Sequence, residues 1–263
     1  MAYAPKTAII PAAGRGMRLR PVTAAVHKEM FPVGSYPAIE WVIAEAVRSG
    51  CETIIVVINP AKSIIKNYLQ SRLKVLRKKF SLEFASHTKS RGLAQAILIA
   101  GKLIHEPSFA VLLPDNLIDS DVPVLLQLGE YFDKDTTHIA AVMRAQNVTA
   151  TRKGTLKLTI HSESLFKITG TIQSGEPESN ASTSPLLGVG RSIMTRDFIE
   201  HARKLYKDEF EGELTDGMVL QAMIDAGLDL YACRIEGHCH DISTADGHAT
   251  AIRRFGKEKP QWQ

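Results

Sequence analysis

The chain has 263 residues, of which 44% are apolar and 23% charged, ordinary globular usage that excludes wholesale disorder, collagen and coiled coil. Its 32 basic and 28 acidic residues leave a net charge of +4, too slight an excess for a nucleic-acid-binding surface, so no nucleic-acid partner is expected. No apolar run nears the ~18 residues of a membrane span, and three cysteines form no disulfide framework, so a cytoplasmic chain without a membrane partner is expected.

Residues 7–10 (TAII) are predicted to form a buried strand stopped by Pro11, and a loop rich in Gly and Arg follows over 12–20. Residues 38–49 space Ile39, Val42, Ile43, Ala46 and Val47 as a helix does, with Gly50 closing it. The β-branched run 53–58 (TIIVVI) reads as a fully buried strand. A solvated, basic amphipathic helix is predicted over 62–80 and another helix over 91–103. Residues 109–113 (FAVLL) form a strand ended by Pro114, 122–132 a helix and 138–143 a strand. The texture then turns antiparallel, with alternating segments at 155–160 and 164–169 and a polar stretch at 175–184. Helices over 196–206 and 214–226, a strand over 230–235 and a helix over 244–255 complete the chain, leaving 257–263 as a frayed tail. Strands alternating with helices indicate an α/β domain with a mainly parallel sheet. Ligands bind such sheets beyond the carboxyl ends of the strands, which places 12–20 and 114–115 on one rim.

Residues 11–32 read PAAGRGMRLRPVTAAVHKEMFP. Gly14 and Gly16 let backbone N–H groups approach an anion, and Arg15, Arg18, Arg20 and Lys28 gather beside them. A plain tight turn is the competing reading of the glycines. The dinucleotide fingerprint requires a third glycine where Leu19 stands, which argues against a nicotinamide oxidoreductase, and the GxxxxGK[ST] phosphate loop is absent. No HExxH pattern occurs, and strand alternation puts Cys239 opposite His238 and His240, so no zinc site is expected.

A strand followed by AAGxGxRxxPxTxxxxKEMxP and an apolar helix resembles the sugar-1-phosphate nucleotidyltransferases. The KEM triplet most resembles their bacterial UTP–glucose-1-phosphate uridylyltransferase branch. The resemblance continues through 91–97 (RGLAQAI), 113–119 (LPDNLID), 189–194 (VGRSIM), 212–216 (GELTD) and 240–244 (HDIST). It implies a Rossmann-like three-layer domain with a mixed, mainly parallel sheet and a small antiparallel insertion. One domain over 1–263 is implied, with a nucleotide-binding half at 6–146 and a sugar-binding half with the C-terminal helices at 147–256.

The implied reaction joins an NTP, UTP by preference, to a sugar 1-phosphate such as glucose 1-phosphate, releasing pyrophosphate. By this resemblance Arg18 holds the pyrophosphate and Lys28 grips the phosphates. Asp115 and Asp241 hold Mg2+, although each also fits a turn or helix cap. Ala12, Ala13, Gly14, Gly16, His87, Gly92 and Gln95 meet the nucleotide, while Gly154, Glu176 and Gly190 face the sugar phosphate. A homo-oligomer is also implied.

Three positions depart from the pattern. Met17 replaces a small polar residue, and His87 stands where a glutamine reads the base. Counting back from Arg191 aligns Pro177 with the proline of the family's EKP segment, which puts Glu176 at its lysine and Gly175 at its glutamate. A carboxylate facing a phosphate dianion is costly. Either Lys153, Lys157 or Lys167 substitutes, or the register or acceptor differs, or the chain is a weakened relative that binds a nucleotide or NDP-sugar as a regulatory protein.

Overall fold

The computed structural model describes residues 3–14, 16, 19–74, 80–88, 92–149, 156–172, 186–206 and 212–262. In chain order the strands are β1 (Thr7–Pro11), β2 (Pro32–Val33), β3 (Tyr36–Pro37), β4 (Thr53–Ile58), β5 (Ser81–Ser86), β6 (Ser108–Leu112), β7 (Asn116–Asp119), β8 (His138–Arg144), β9 (Val148–Thr149), β10 (Leu156–Ile160), β11 (Leu165–Thr171), β12 (Leu186–Thr195), β13 (Leu230–Arg234) and β14 (His238–Asp241). The helices are α1 (Val22–Ala25), α2 (Ala38–Arg48), α3 (Ser63–Arg72), α4 (Leu93–Ala100), α5 (Val124–Gly129), α6 (Arg196–Leu205), α7 (Asp216–Asp225) and α8 (Ala245–Phe255).

Nine strands make one sheet in the order β10-β11-β13-β8-β12-β6-β1-β4-β5. β1 pairs in parallel with β4 and β6, β4 with β5, and β13 with β8. β12 runs antiparallel between β6 and β8, so it turns the centre of the sheet while leaving β6 and β8 codirectional. The expected antiparallel segments, β10 and β11, extend the edge of this sheet beyond β13.

Because successive strand residues face opposite sides, Ala8, Ile10, Ile54 and Val56 pack on one face and Ile9, Ile55 and Val57 on the other. α2, α3, α5 and α8 cover the first face, and α4, α6 and α7 the second, giving three layers. A three-stranded sheet, β7-β14-β9, lies apart from the large one. Among the described residues no helix is long and apolar enough to cross a membrane. The three cysteines are buried and free.

Several expectations need correction. The helix expected over 62–80 is shorter, since α3 ends at Arg72 and Phe80 leads into β5, a strand the sequence pattern did not reveal. The helix expected over 122–132 contracts to α5. The tail is docked: Pro260 is buried, and the Trp262 ring stacks on Phe80 with centroids 6.0 Å apart.

His138 opens β8 from inside the protein, and neither ring nitrogen has a hydrogen-bond partner. Burial pushes its pKa from 6.5 down to about 3. Between those values the unfolded chain holds a proton that the folded chain does not. Stability is therefore expected to fall as pH drops below 6.5, by about 1.4 kcal/mol per pH unit from this group alone. His138→Leu also removes two unsatisfied buried nitrogens. Melting curves from pH 7 to 4.5 should show a shallower acid decline for the variant, with no loss at pH 7; parallel curves would refute the assignment.

Candidate active site

β1 and β6 are parallel neighbours, so their carboxyl ends deliver the 12–16 loop and the Leu113–Asp115 turn to one rim. That turn is fixed from below. Gly190, at φ +69°, lies so close to it that a Cβ there would stand 2.4 Å from Asn116 Nδ2 and 2.8 Å from Leu113 Cβ. The next residue, Arg191, is 1% exposed. Its Nε and Nη2 donate to Glu45 at 2.9 and 2.7 Å, Nη1 donates to the Gly190 and Leu113 carbonyls, and Nη2 also donates to the Asn116 carbonyl. A guanidinium has five N–H donors, and all five are engaged: two on Glu45 of α2, one on Gly190, and two on the Leu113 and Asn116 carbonyls that flank Asp115.

Lys28 stands in a one-turn 3-10 helix, Lys28–Met30, and its Nζ donates to Asp115 Oδ2 at 2.6 Å. Asp241 ends β14, paired with Asn116 of β7. Ile242 N donates to the Asp115 carbonyl at 2.9 Å, which ties the two aspartates' backbones together. Asp241 Oδ1 accepts from Ser243 N and Oγ. Asp115 and Asp241 are 4% and 1% exposed. Two buried carboxylates on backbones tied together in this way offer the hard oxygens that suit Mg2+, which commonly takes one or two carboxylates and fills its shell with phosphate oxygens and water. The donor set fits that ion.

The glycine loop is anchored at both its ends. Ala12 N donates to Val57 O at 2.7 Å, and Gly16 O accepts from Thr23 Oγ1 at 2.7 Å. Lys62, expected to lie on a solvated helix face, is instead 6% exposed beneath this loop. Its Nζ donates to Ala12 O at 2.9 Å, Gly14 O at 2.6 Å and both oxygens of Glu29 at 2.9 and 3.0 Å. Burial pushes the Lys62 pKa down, and the Glu29 carboxylate opposes that shift. Sequence reasoning missed Lys62, Glu29 and the Arg191 clamp.

Two strands from β1, His87 follows β5 and donates its backbone N–H to Ile58 O. Its Nε2 lies 2.6 Å from Gln95 Oε1, and Gln95 Nε2 donates to Tyr206 Oη at 2.8 Å. Gly92, at φ +102°, caps α4 where a Cβ would come 2.3 Å from the Leu214 carbonyl oxygen. Leu214 O also accepts from Ala94 N, so the GELTD segment docks on the GLAQA turn. The structure thus brings Ala12, Ala13, Gly14, Gly16, Lys28, Asp115, Asp241, His87, Gly92 and Gln95 to the same end of the sheet.

Arg18, Gly154 and Glu176, with Arg15, Met17 and Lys153, lie outside the described residues. Two of the lysines offered as replacements at Glu176 lie among the described residues. Lys167 pairs with Asp229 at 2.7 Å, at the amino end of β13 and hence toward the opposite rim. Lys157 pairs with Gly170, further along β11 in the same direction.

The sequence matches the family described as nucleotidyl transferase over residues 7–254. A UTP–glucose-1-phosphate uridylyltransferase of Staphylococcus epidermidis is 26% identical across 97% of this chain and 94% of its own length. A UDP-glucose pyrophosphorylase crystallised with UDP-glucose superposes with a TM-score of 0.82 at 25% identity, covering 97% of this chain and 100% of that one. A UDP-glucose pyrophosphorylase from Acinetobacter baumannii gives a TM-score of 0.78 at 26% identity, covering 96% and 93%. A family match of that span, with the site residues gathered on one rim, means that this chain belongs to the nucleotidyl transferase family.

Proposed function

We propose that the protein transfers a uridylyl group from UTP to glucose 1-phosphate, giving UDP-glucose and pyrophosphate. The observation that carries this reading is the Lys28–Asp115 pair at 2.6 Å, with the backbone of Asp241 tied to it, beside the Ala12–Gly16 loop. The named relatives supply the substrate pair.

In this reaction an oxygen of the sugar phosphate attacks the α-phosphorus in line. A new P–O bond forms as the bond to the bridging β-phosphate oxygen breaks, and pyrophosphate leaves with that electron pair. Little covalent chemistry falls to the protein, whose work is positioning and charge neutralisation. Asp115 and Asp241 would hold Mg2+, which supplies charge shielding on the phosphates when bound. Lys28 sets a positive charge against the same phosphates, and Arg18 holds the leaving pyrophosphate. The Ala12–Gly14 backbone, Gly92 and the buried His87–Gln95 pair form the wall for the base. Gly154, Glu176 and Gly190 belong to the sugar-phosphate side, where Glu176 tunes acceptor affinity.

The test is pyrophosphate release with Mg2+, glucose 1-phosphate and each of UTP, dTTP, CTP, GTP and ATP. Turnover with a preference for UTP is expected. Absence of turnover across the nucleotides and a panel of sugar 1-phosphates would sink the reading, and a preference for another nucleotide would relocate the base specificity.

A further inference from the structure

We propose that Lys62 and Glu29 act together as a positioning latch that sets the Ala12–Gly14 backbone for the nucleotide; this rests on the function proposed above. The ammonium has three protons. One goes to Ala12 O, one to Gly14 O and one to the Glu29 carboxylate. Lys62 is therefore saturated within the protein and joins three separate pieces of the site. These are the loop after β1, the Lys28–Met30 turn and the Pro60–Lys62 turn after β4.

Each piece is held independently. Asn59 Oδ1 accepts from Ala61 N at 2.9 Å, and Asn59 O accepts from Lys62 N at 2.8 Å, so the turn that presents Lys62 is built before its side chain acts. Successive residues of a 3-10 turn point about 120° apart. Lys28 accordingly reaches Asp115 while Glu29, next in the chain, turns inward to Lys62.

The consequence for the loop follows from the planar trans peptide, in which C=O and N–H point in opposite directions. Turning the Ala12 carbonyl onto Lys62 directs the Ala13 N–H away from it, out of the side on which the ammonium is buried. The latch thereby fixes a backbone donor as well as the path of the chain. Stability alone gives no reason for an ion pair here, because an apolar pair of similar volume commonly serves a core as well or better. An apolar pair offers no donors to two carbonyls. Lys28 and Asp115 also lie within electrostatic reach of Lys62, so the latch and the candidate phosphate site share one field.

The test uses the double variant Glu29→Gln/Lys62→Met, which leaves no buried ion alone. UTP affinity is measured by calorimetry without sugar phosphate, alongside steady-state kinetics and a melt. A folded variant with kcat/KM for UTP about 10²-fold lower is expected, the scale of a reacting group misplaced by about 1 Å. The KM for glucose 1-phosphate should stay near its wild-type value, and Lys62→Arg alone should retain part of the UTP affinity. A folded double variant with unchanged UTP affinity and kcat/KM overturns the latch. If the double variant unfolds, Glu29→Gln alone decides, and UTP affinity equal to wild type overturns the latch. Wild-type protein that neither binds nor turns over UTP overturns the parent function instead.

Discussion

Asp115→Asn is expected to lower pyrophosphate release by about 10³-fold, the upper scale for one preorganised group acting on charge that develops in the transition state. The substitution keeps the shape of the side chain and an oxygen that can accept from Lys28 Nζ, now 2.6 Å from Oδ2. What it removes is the negative charge. That loss takes one of the two carboxylates from the candidate Mg2+ site and removes the negative charge that stands 2.6 Å from Lys28 Nζ. The fold should survive, because the backbone at this position is held by Ile242 N and by the Arg191 clamp, neither of which uses the carboxylate. The discriminating measurement is kcat against Mg2+ concentration, paired with a melt. A normal melt with kcat lost, and recovered only in part at high Mg2+, fits the role. A rate within about threefold of wild type would remove Asp115 from the phosphate machinery, since one preorganised donor is worth far more.

Legibility from sequence follows how local each signal is. The run TIIVVI predicts a buried strand over 53–58, and β4 spans those residues, since a continuous β-branched run is its own evidence of burial on both faces. β5 (SLEFAS) gives no such run: it is an edge strand and only Ala85 in it is buried. β7 pairs with β14 across more than a hundred residues, so no local signal announces that pairing. The rim site was legible because its motifs sit in contiguous loops at strand ends. Lys62 was not, because a lysine before a helix reads as solvated until residues 12, 14 and 29 are folded over it. Arg191 carries a motif, but nothing local says that its charge points inward to Glu45 on α2.

Arg191→Met should cost about 3–5 kcal/mol of stability, the usual penalty for removing one partner of a buried ion pair. For a chain of this size that corresponds to a fall in melting temperature of about 6–10 °C. The loss has two parts. Glu45 loses both of its charge-assisted bonds, and the Leu113, Gly190 and Asn116 carbonyls lose guanidinium donors at once. Arg191→Lys retains the charge but has three donors in place of five and no planar fork, so it should recover only part of the loss. The activity readout separates clamp from mere core. Two of the carbonyls released, those of Leu113 and Asn116, flank Asp115, so variant protein held well below its melting point should still show a reduced kcat. In Glu45→Gln, by contrast, the carbonyl bonds to Arg191 remain and the kcat defect should be smaller. If Arg191→Met melts within ~2 °C of wild type, a shift worth under about 1 kcal/mol, the five-donor arrangement is not what holds the turn. If it melts early but keeps full kcat when folded, the clamp stabilises the sheet without positioning Asp115.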